Sequence, residues 1–356
     1  MKGYQFEDTQ GTFHLKKAEN ISYLYFPIAG EAGLKSSFTP NLGGDAKIDQ
    51  NTFLLEPVSA ENLVNNRNSR NFWCNVKGIG SWSLTGNAAE ALSKKFTEMQ
   101  DDSEVTAGFM WQKTTRESKK YQLRGEILSF IPVDKNVEIM LVTITNTGRM
   151  AQTVTPTAAI PLYGRSADNI RDHRHVTSLL HRIETTDTGV LVTPTLSFDE
   201  RGHQVNHMTY YCVGWSGNGE KPVDFYPTAE DFVGEGGNFE RPYAIVKNAE
   251  GVKAGTRIEG LEAVGGLHFS EVTLEPEEEC SYLIFTGITE DIQEIRNLSK
   301  TYTTREMVLE ELEKTKAYWQ EKVNVAYHTG DSDFNQFMHW VSFQPILRRI
   351  YGCSFL

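Results

Sequence analysis

The sequence predicts a mainly β protein, a large antiparallel two-sheet sandwich with a helical stretch behind it. Short β-type runs dominate residues 1–290. They are separated by Asn/Gly turns at close spacing, which antiparallel strands accept and parallel strands, needing long crossovers, do not. Helical periodicity takes over only towards the C-terminus. Strands spread over some 280 residues exceed one immunoglobulin-sized sandwich, so a larger double layer is expected.

In chain order, one helix is expected inside the sheet region, over Ala88–Met99, where Ala and Lys are strong helix formers. Glu126–Val133 alternates and ends in Pro. Val137–Thr145 follows, then Asn146-Thr147-Gly148 as a turn, then Thr153–Leu162. Further runs are Val190–Phe198, Met208–Trp215, Leu267–Leu274 and Tyr282–Ile288. The ending changes character. Thr303-Thr304-Arg305-Glu306 reads as a capping box, with Val308, Leu312, Thr315, Trp319 and Val323 on one helical face behind it. A second helix starts near Asp331-Ser332-Asp333, with Pro345 bending or interrupting it. The apolar tail Ile350–Leu356 has no cap and reads as cut.

The 356 residues carry a formal net charge of −12, which argues against nucleic acid or an anionic membrane as partner and is compatible with a neutral, polyhydroxylated ligand. The N-terminus has no apolar signal core and the chain has no long apolar run, so a cytoplasmic address is expected. Cys74, Cys212, Cys280 and Cys353 lie far apart without CxxC spacing, the pattern of reduced, buried thiols.

The chemistry concentrates in Tyr163–Arg182 (YGRSADNIRDHRHVTSLLHR), where a strand-like run gives out. Arg165, Asp168, Arg171, Asp172, His173 and His175 form the polar part, and no Lys occurs in it. Arginine's planar fork suits a fixed acceptor, so two readings stand: a loop facing a sugar or a phosphate, or an Arg/Asp network pinning a long loop. A metal site at His173, His175 and His181 is disfavoured because the interleaved arginines repel a divalent cation. Asn65–Asn71, with Arg67 and Arg70, reads as hydroxyl recognition or as local turns. Asp199-Glu200-Arg201-Gly202-His203 reads as a turn, since neighbours on a strand point to opposite faces. Trp73, Trp82, Trp111 and Trp215 are sugar platforms or core. The Gly-rich Phe232–Gly237 has no lysine and reads as a loop.

Several segments together resemble the N-terminal half of the inverting phosphorylases of glycoside hydrolase family 94, once glycosyltransferase family 36: SFTPNLGGDAKIDQNTFLLEP at 37–57, VSAENLVNNRNSRNFW at 58–73, 158–182, and TLSFDERGH at 195–203. The set, with the tail QPILRRIYGCSF, is most similar to the 1,2-β-oligoglucan phosphorylase branch. The resemblance implies a carbohydrate-binding-like β-supersandwich over 1–295 and a helical linker over 296–356, leading to an absent (α/α)6 catalytic barrel. It implies that the general-acid Asp lies beyond this chain, which then holds no catalytic residue. It also implies phosphorolysis of β-1,2-glucan-type oligosaccharides with inorganic phosphate as co-substrate and no other cofactor. The barrel would join in cis or in trans, and a homodimer is compatible with the family. Arg165, Asp168, Arg171, Asp172, His173 and His175 are the substrate-binding residues expected. A stand-alone carbohydrate-binding protein and a purely structural assembly domain are the other readings.

Overall fold

The computed structural model describes residues 4–21, 25–58, 69–170, 174–199 and 202–352, with the side chains of 174, 175 and 199 outside that description. The expected class holds: an eleven-stranded antiparallel sheet faces a six-stranded one, and three helices close the chain. The large sheet runs in the order Tyr4–Phe6, Phe13–Lys16, Asp102–Gly108, Trp111–Ser118, Leu123–Phe130, Val137–Asn146, Glu279–Thr289, Thr209–Ser216, Gly189–Val192, Arg182–Thr185, Arg257–Glu259. The smaller one runs Asp224–Thr228, Ala263–His268, Gln152–Leu162, Asn71–Val76, Gly80–Ser83, with Val272–Leu274 also paired to Gln152–Leu162. Phe26–Ala29, Lys35–Phe38, Ala46–Asp49 and Thr52–Leu55 make a separate four-stranded sheet. The helices are α1 (Ala89–Ser93), α2 (Arg174–Thr177), α3 (Ala229–Val233), α4 (Tyr243–Lys247), α5 (Ile292–Thr301), α6 (Arg305–Lys322) and α7 (Ser332–Tyr351).

The central strands explain their own composition. Val137–Asn146 is buried at every position because both faces of its sheet are covered. Met140, Val142 and Ile144 point into the core between the sheets, while Val137, Ile139 and Leu141 point outward against α5 and α6 through Ile295, Leu298, Val308 and Leu312. The same two-residue period splits Cys212 from Val213 and Ile284 from Phe285. The expected turn after this strand is fixed by Asn146, whose Oδ1 accepts from Gly148 N at 2.9 Å and whose Nδ2 donates to the Met150 and Leu274 carbonyls. The outer face of the six-stranded sheet is covered by α3 and α4 through Phe232, Ala244 and Ile245.

Several local expectations are corrected. The Ala88–Met99 helix stops at Ser93, because Thr97 Oγ1 takes the Lys94 carbonyl and Phe96 lies at φ 66, outside any right-handed helix. α6 starts after Thr304, one residue later than the capping-box reading placed it and without a side-chain capping hydrogen bond; Val308, Leu312, Thr315 and Trp319 are its buried face as expected, while Val323 lies just past its end. Pro345 does not interrupt α7. The carbonyl it leaves without a donor is that of Val341, on the exposed side of the helix where water can serve it. All four tryptophans weighed as platforms are core: Trp73, Trp82, Trp111 and Trp215 are at most 9% exposed. Among the described residues, no helix is long and apolar enough to cross a membrane.

A buried ion pair joins the four-stranded sheet to the rest. Arg70 and Glu138 are both fully buried: Arg70 Nε meets Glu138 Oε1 at 2.5 Å and its Nη2 meets Oε2 at 3.1 Å. Arg70 Nη1 also donates to the Gly44 carbonyl at 2.9 Å, and Ser36 Oγ donates to Glu138 Oε2 at 2.7 Å. The polar Asn65–Asn71 run thus ends in a core ion pair, a role neither sequence reading gave it; residues 65–68 lie outside the described residues. Gly44 itself sits at φ 120, where an added Cβ would stand 1.8 Å from the Ser37 carbonyl oxygen. Gly44→Ala is therefore expected to cost at least about 1–3 kcal/mol from backbone strain alone, measured as a lower urea midpoint at unchanged m-value.

Candidate functional site

The Tyr163–Arg182 segment leaves the six-stranded sheet at the end of Gln152–Leu162 and at once pairs with the four-stranded sheet. Tyr163 N donates to the Leu54 carbonyl at 2.8 Å, Gly164 N to Phe53 O at 3.1 Å, and Phe53 N to Arg165 O at 3.0 Å. Gly164, at φ 59, lets the chain turn there without Cβ strain. A 3-10 turn at Ala167–Ile170, α2, a second 3-10 turn at Ser178–Leu180 and the strand Arg182–Thr185 complete the excursion. A hairpin of Leu196–Asp199 and Gly202–Val205 stands beside it, joined through Ser166 Oγ donating to the Phe198 carbonyl. That hairpin is the turn expected around Asp199–His203, with Glu200 and Arg201 themselves outside the described residues.

Arg165 points inward and is 4% exposed. Its Nε donates to the Tyr163 carbonyl at 2.9 Å, its Nη1 to Thr177 Oγ1 at 3.3 Å, and its Nη2 pairs with Glu262; the guanidinium lies 4.7 Å from the centroid of the Tyr163 ring. One side chain thereby ties the start of the segment, its middle and the strand beginning at Ala263 into one rigid base. The fixed acceptor implied by an arginine at this position is, here, the protein itself. Asp168 is exposed on the first 3-10 turn. Arg171, Asp172 and His173 lie outside the described residues, and His175 is described only as backbone of α2. The structure therefore brings together Arg165 with its braces and leaves Asp168 at the surface.

His181 closes the base. It is fully buried, with Nδ1 3.2 Å from the Leu261 carbonyl. Burial first, and the nearby Arg165 charge second, push its pKa down from 6.5 to about 3, so it is neutral in the fold. The unfolded chain then binds a proton that the folded chain refuses between about pH 3 and 6.5. Stability should fall as pH drops through that window, with a slope approaching about 1.4 kcal/mol per pH unit from this residue. His181→Gln is expected to flatten that limb in urea titrations from pH 3.5 to 7; an unchanged slope would show that His181 is protonated in the fold.

At the foot of the segment Glu56, Leu162, Tyr163, Phe239 and Glu262 line a recess of about 20 Å³, room for about one water. Its two carboxylates were not picked out from the sequence. The signal was present: Glu56 follows the apolar run Phe53–Leu55 and Glu262 stands between Leu261 and Ala263, and an acid in an apolar stretch is costly unless paired. The recess is too small for a sugar ring, and a carboxylate held by a guanidinium is an acceptor. The described geometry suits a brace that holds the base of the Tyr163–Arg182 segment.

The family model for the glycosyl hydrolase 94 supersandwich domain matches residues 57–305, well over half of the chain. The chain belongs to that family. The match takes in the six-stranded sheet, the large sheet except its strands Tyr4–Phe6 and Phe13–Lys16, the Tyr163–Arg182 segment and α5. No curated protein matches the sequence. Among solved structures, the supersandwich chain is similar to a bacterial glucoamylase complexed with acarbose (10% identity, TM-score 0.43), covering 96% of this chain and 41% of that one. A family GH92 α-mannosidase from Bacteroides thetaiotaomicron in complex with mannoimidazole gives 11% identity, TM-score 0.45 and coverage of 91% and 38%. A putative aldose 1-epimerase from Escherichia coli K12 gives 8%, 0.36, and 75% and 99%. The chain spans about two fifths of the length of the glucoamylase and the mannosidase.

Proposed function

We propose that this chain is the supersandwich and helical linker of an inverting β-glucooligosaccharide phosphorylase, acting on β-1,2-linked glucans, and that it is not catalytic alone. The observation that carries the reading is the family match over 57–305. Inverting cleavage needs an acid that protonates the leaving oxygen and a nucleophile on the opposite face of the sugar ring. In a phosphorylase, inorganic phosphate is that nucleophile, so a cationic pocket replaces the second carboxylate. Proton donor and phosphate pocket would come from an (α/α)6 barrel supplied in cis or in trans. This chain would contribute one wall of the cleft through the loop tip, with Asp168, Arg171, Asp172, His173 and His175 facing the glucan, and Arg165 bracing the loop from beneath as a positioning residue.

Residues 1–356 alone should release no glucose 1-phosphate from sophoro-oligosaccharides and phosphate. Activity is expected once the chain is joined to, or mixed with, the barrel. Turnover by residues 1–356 unaided refutes the division of labour. Inactivity of the joined protein on β-1,2-glucans, with activity on another β-glucan, refutes the linkage.

A further inference from the structure

A second polar recess lies away from the Tyr163–Arg182 segment, beneath α1 and the turn that follows it. Its floor is Arg116, in the strand Trp111–Ser118, between Ser103 and Gly125 of the neighbouring strands. Arg116 is 5% exposed, yet its Nε is buried with no protein acceptor among the described residues. Its Nη2 reaches only the Thr85 carbonyl, at 3.5 Å, the limit of a hydrogen bond. Gly86 has no room for a Cβ, which would stand 2.5 Å from the guanidinium carbon, so the chain is shaped to let this side chain through. Burying a guanidinium and leaving most of its donors unused is costly unless something with oxygen acceptors completes it.

The rest of the recess says what that partner must be. Glu19, Asp101, Gln100, Asn41 and Lys95 line it with Arg116, around a space of about 40 Å³. Glu19 Oε2 is taken by Ser103, and Asp101 Oδ2 by Trp82 Nε1 at 2.8 Å. Two carboxylates balance two cations, so an anion entering towards Arg116 would meet Glu19 and Asp101. A neutral group that both accepts from a guanidinium and donates to a carboxylate fits instead, which is the property of a pair of adjacent hydroxyls. The space admits such a pair and excludes a whole pyranose ring. The ring would rest at the mouth, which Leu92 lines at 40% exposure, with Phe96, 75% exposed, next in sequence to the lining residue Lys95. Phe96 is held at φ 66, a costly conformation for an aromatic residue, by its N–H donating to Gln100 Oε1 at 2.8 Å, and Gln100 itself lines the recess. The backbone at Phe96 is therefore linked to the recess through one of its lining side chains.

We propose that this recess is a glycan-holding site separate from the Tyr163–Arg182 loop: one hexose of an oligosaccharide inserts a hydroxyl pair between Arg116 and Asp101 and lays its ring against Phe96. The choice of β-glucans as probes rests on the proposed function; the hydroxyl-pair chemistry does not.

Residues 1–356 are titrated with sophorotriose, cellotriose and laminaritriose while the Arg116 Nε–H resonance is followed by NMR. At least one trisaccharide should shift it saturably. Phe96→Ala, a surface change that leaves the fold intact, should weaken that response at least about fivefold, and Arg116→Lys should abolish binding while thermal unfolding remains cooperative. A resonance that stays put while sugar binds elsewhere overturns the site, as does the absence of binding by all three sugars, or equal affinity in Phe96→Ala. The phosphorolysis assay of the joined protein is decided independently, so failure here leaves the phosphorylase reading intact, and failure there leaves this site standing.

Discussion

Arg70→Ala will destabilise the fold by about 3–5 kcal/mol, the range for removing one partner of a buried ion pair. The size follows from what remains. Glu138 is fully buried in the strand Val137–Asn146, and without Arg70 it keeps only Ser36 Oγ as a hydrogen-bond partner among those described. The Gly44 carbonyl also loses Arg70 as a donor, while the Asp45 carbonyl, which Arg70 serves as well, keeps Ser37 N at 3.0 Å. Arg70 further lies over the Phe38 ring, 4.1 Å from its centroid, so packing of the four-stranded sheet goes with the charge. Replacing both partners, as Arg70→Met with Glu138→Leu, should recover most of the loss, because two well-packed apolar side chains leave no orphaned charge. Urea unfolding of the two singles and the double gives the coupling. Additive singles would mean that the pair is solvated, against the burial seen here.

The order of the chain was legible because its two periods differ. Alternation at Val137–Thr145 and the spacing of Val308, Leu312, Thr315 and Trp319 each match one element and clash with the other. Lengths were less legible. Ala and Lys favour helix beyond Ser93, but a left-handed Phe96 ends it, and no propensity encodes that. α5 was not singled out because only Ile295 and Leu298 of its ten residues are buried. Long-range pairing was the least legible layer. Glu138 lies 68 positions from Arg70 and Glu262 lies 97 from Arg165. A charge in a polar loop therefore looks the same in one sequence whether it meets ligand, water or a buried partner. The candidate segment was found by its density of arginine and histidine, while the buried role of Arg165 depended on a residue that only the fold brings near.

Phe343→Ala should cost about 3–5 kcal/mol where α7 meets the sandwich, and most of that loss should be local. Phe343 is fully buried, stacked on Phe109 with ring centroids 4.4 Å apart, and meets Trp319 and Trp340 edge-on at 6.0 and 6.3 Å. From α7 it touches both α6 and the turn after Asp102–Gly108. The hole left by its removal is walled by rigid strands on one side, so relaxation must come from the helices. Polar contacts remain: Trp340 Nε1 donates to the Gly11 carbonyl at 2.8 Å, and Arg349 forms a forked pair with Glu31. These are exposed or partly exposed and worth little beside an aromatic cluster. Hydrogen exchange should therefore show α7 amides opening far faster in the variant, while amides of Val137–Asn146 and Glu279–Thr289 keep nearly native protection. If those strands lost protection to the same degree, α7 would be part of the cooperative unit of the sandwich and not a helix docked on its face.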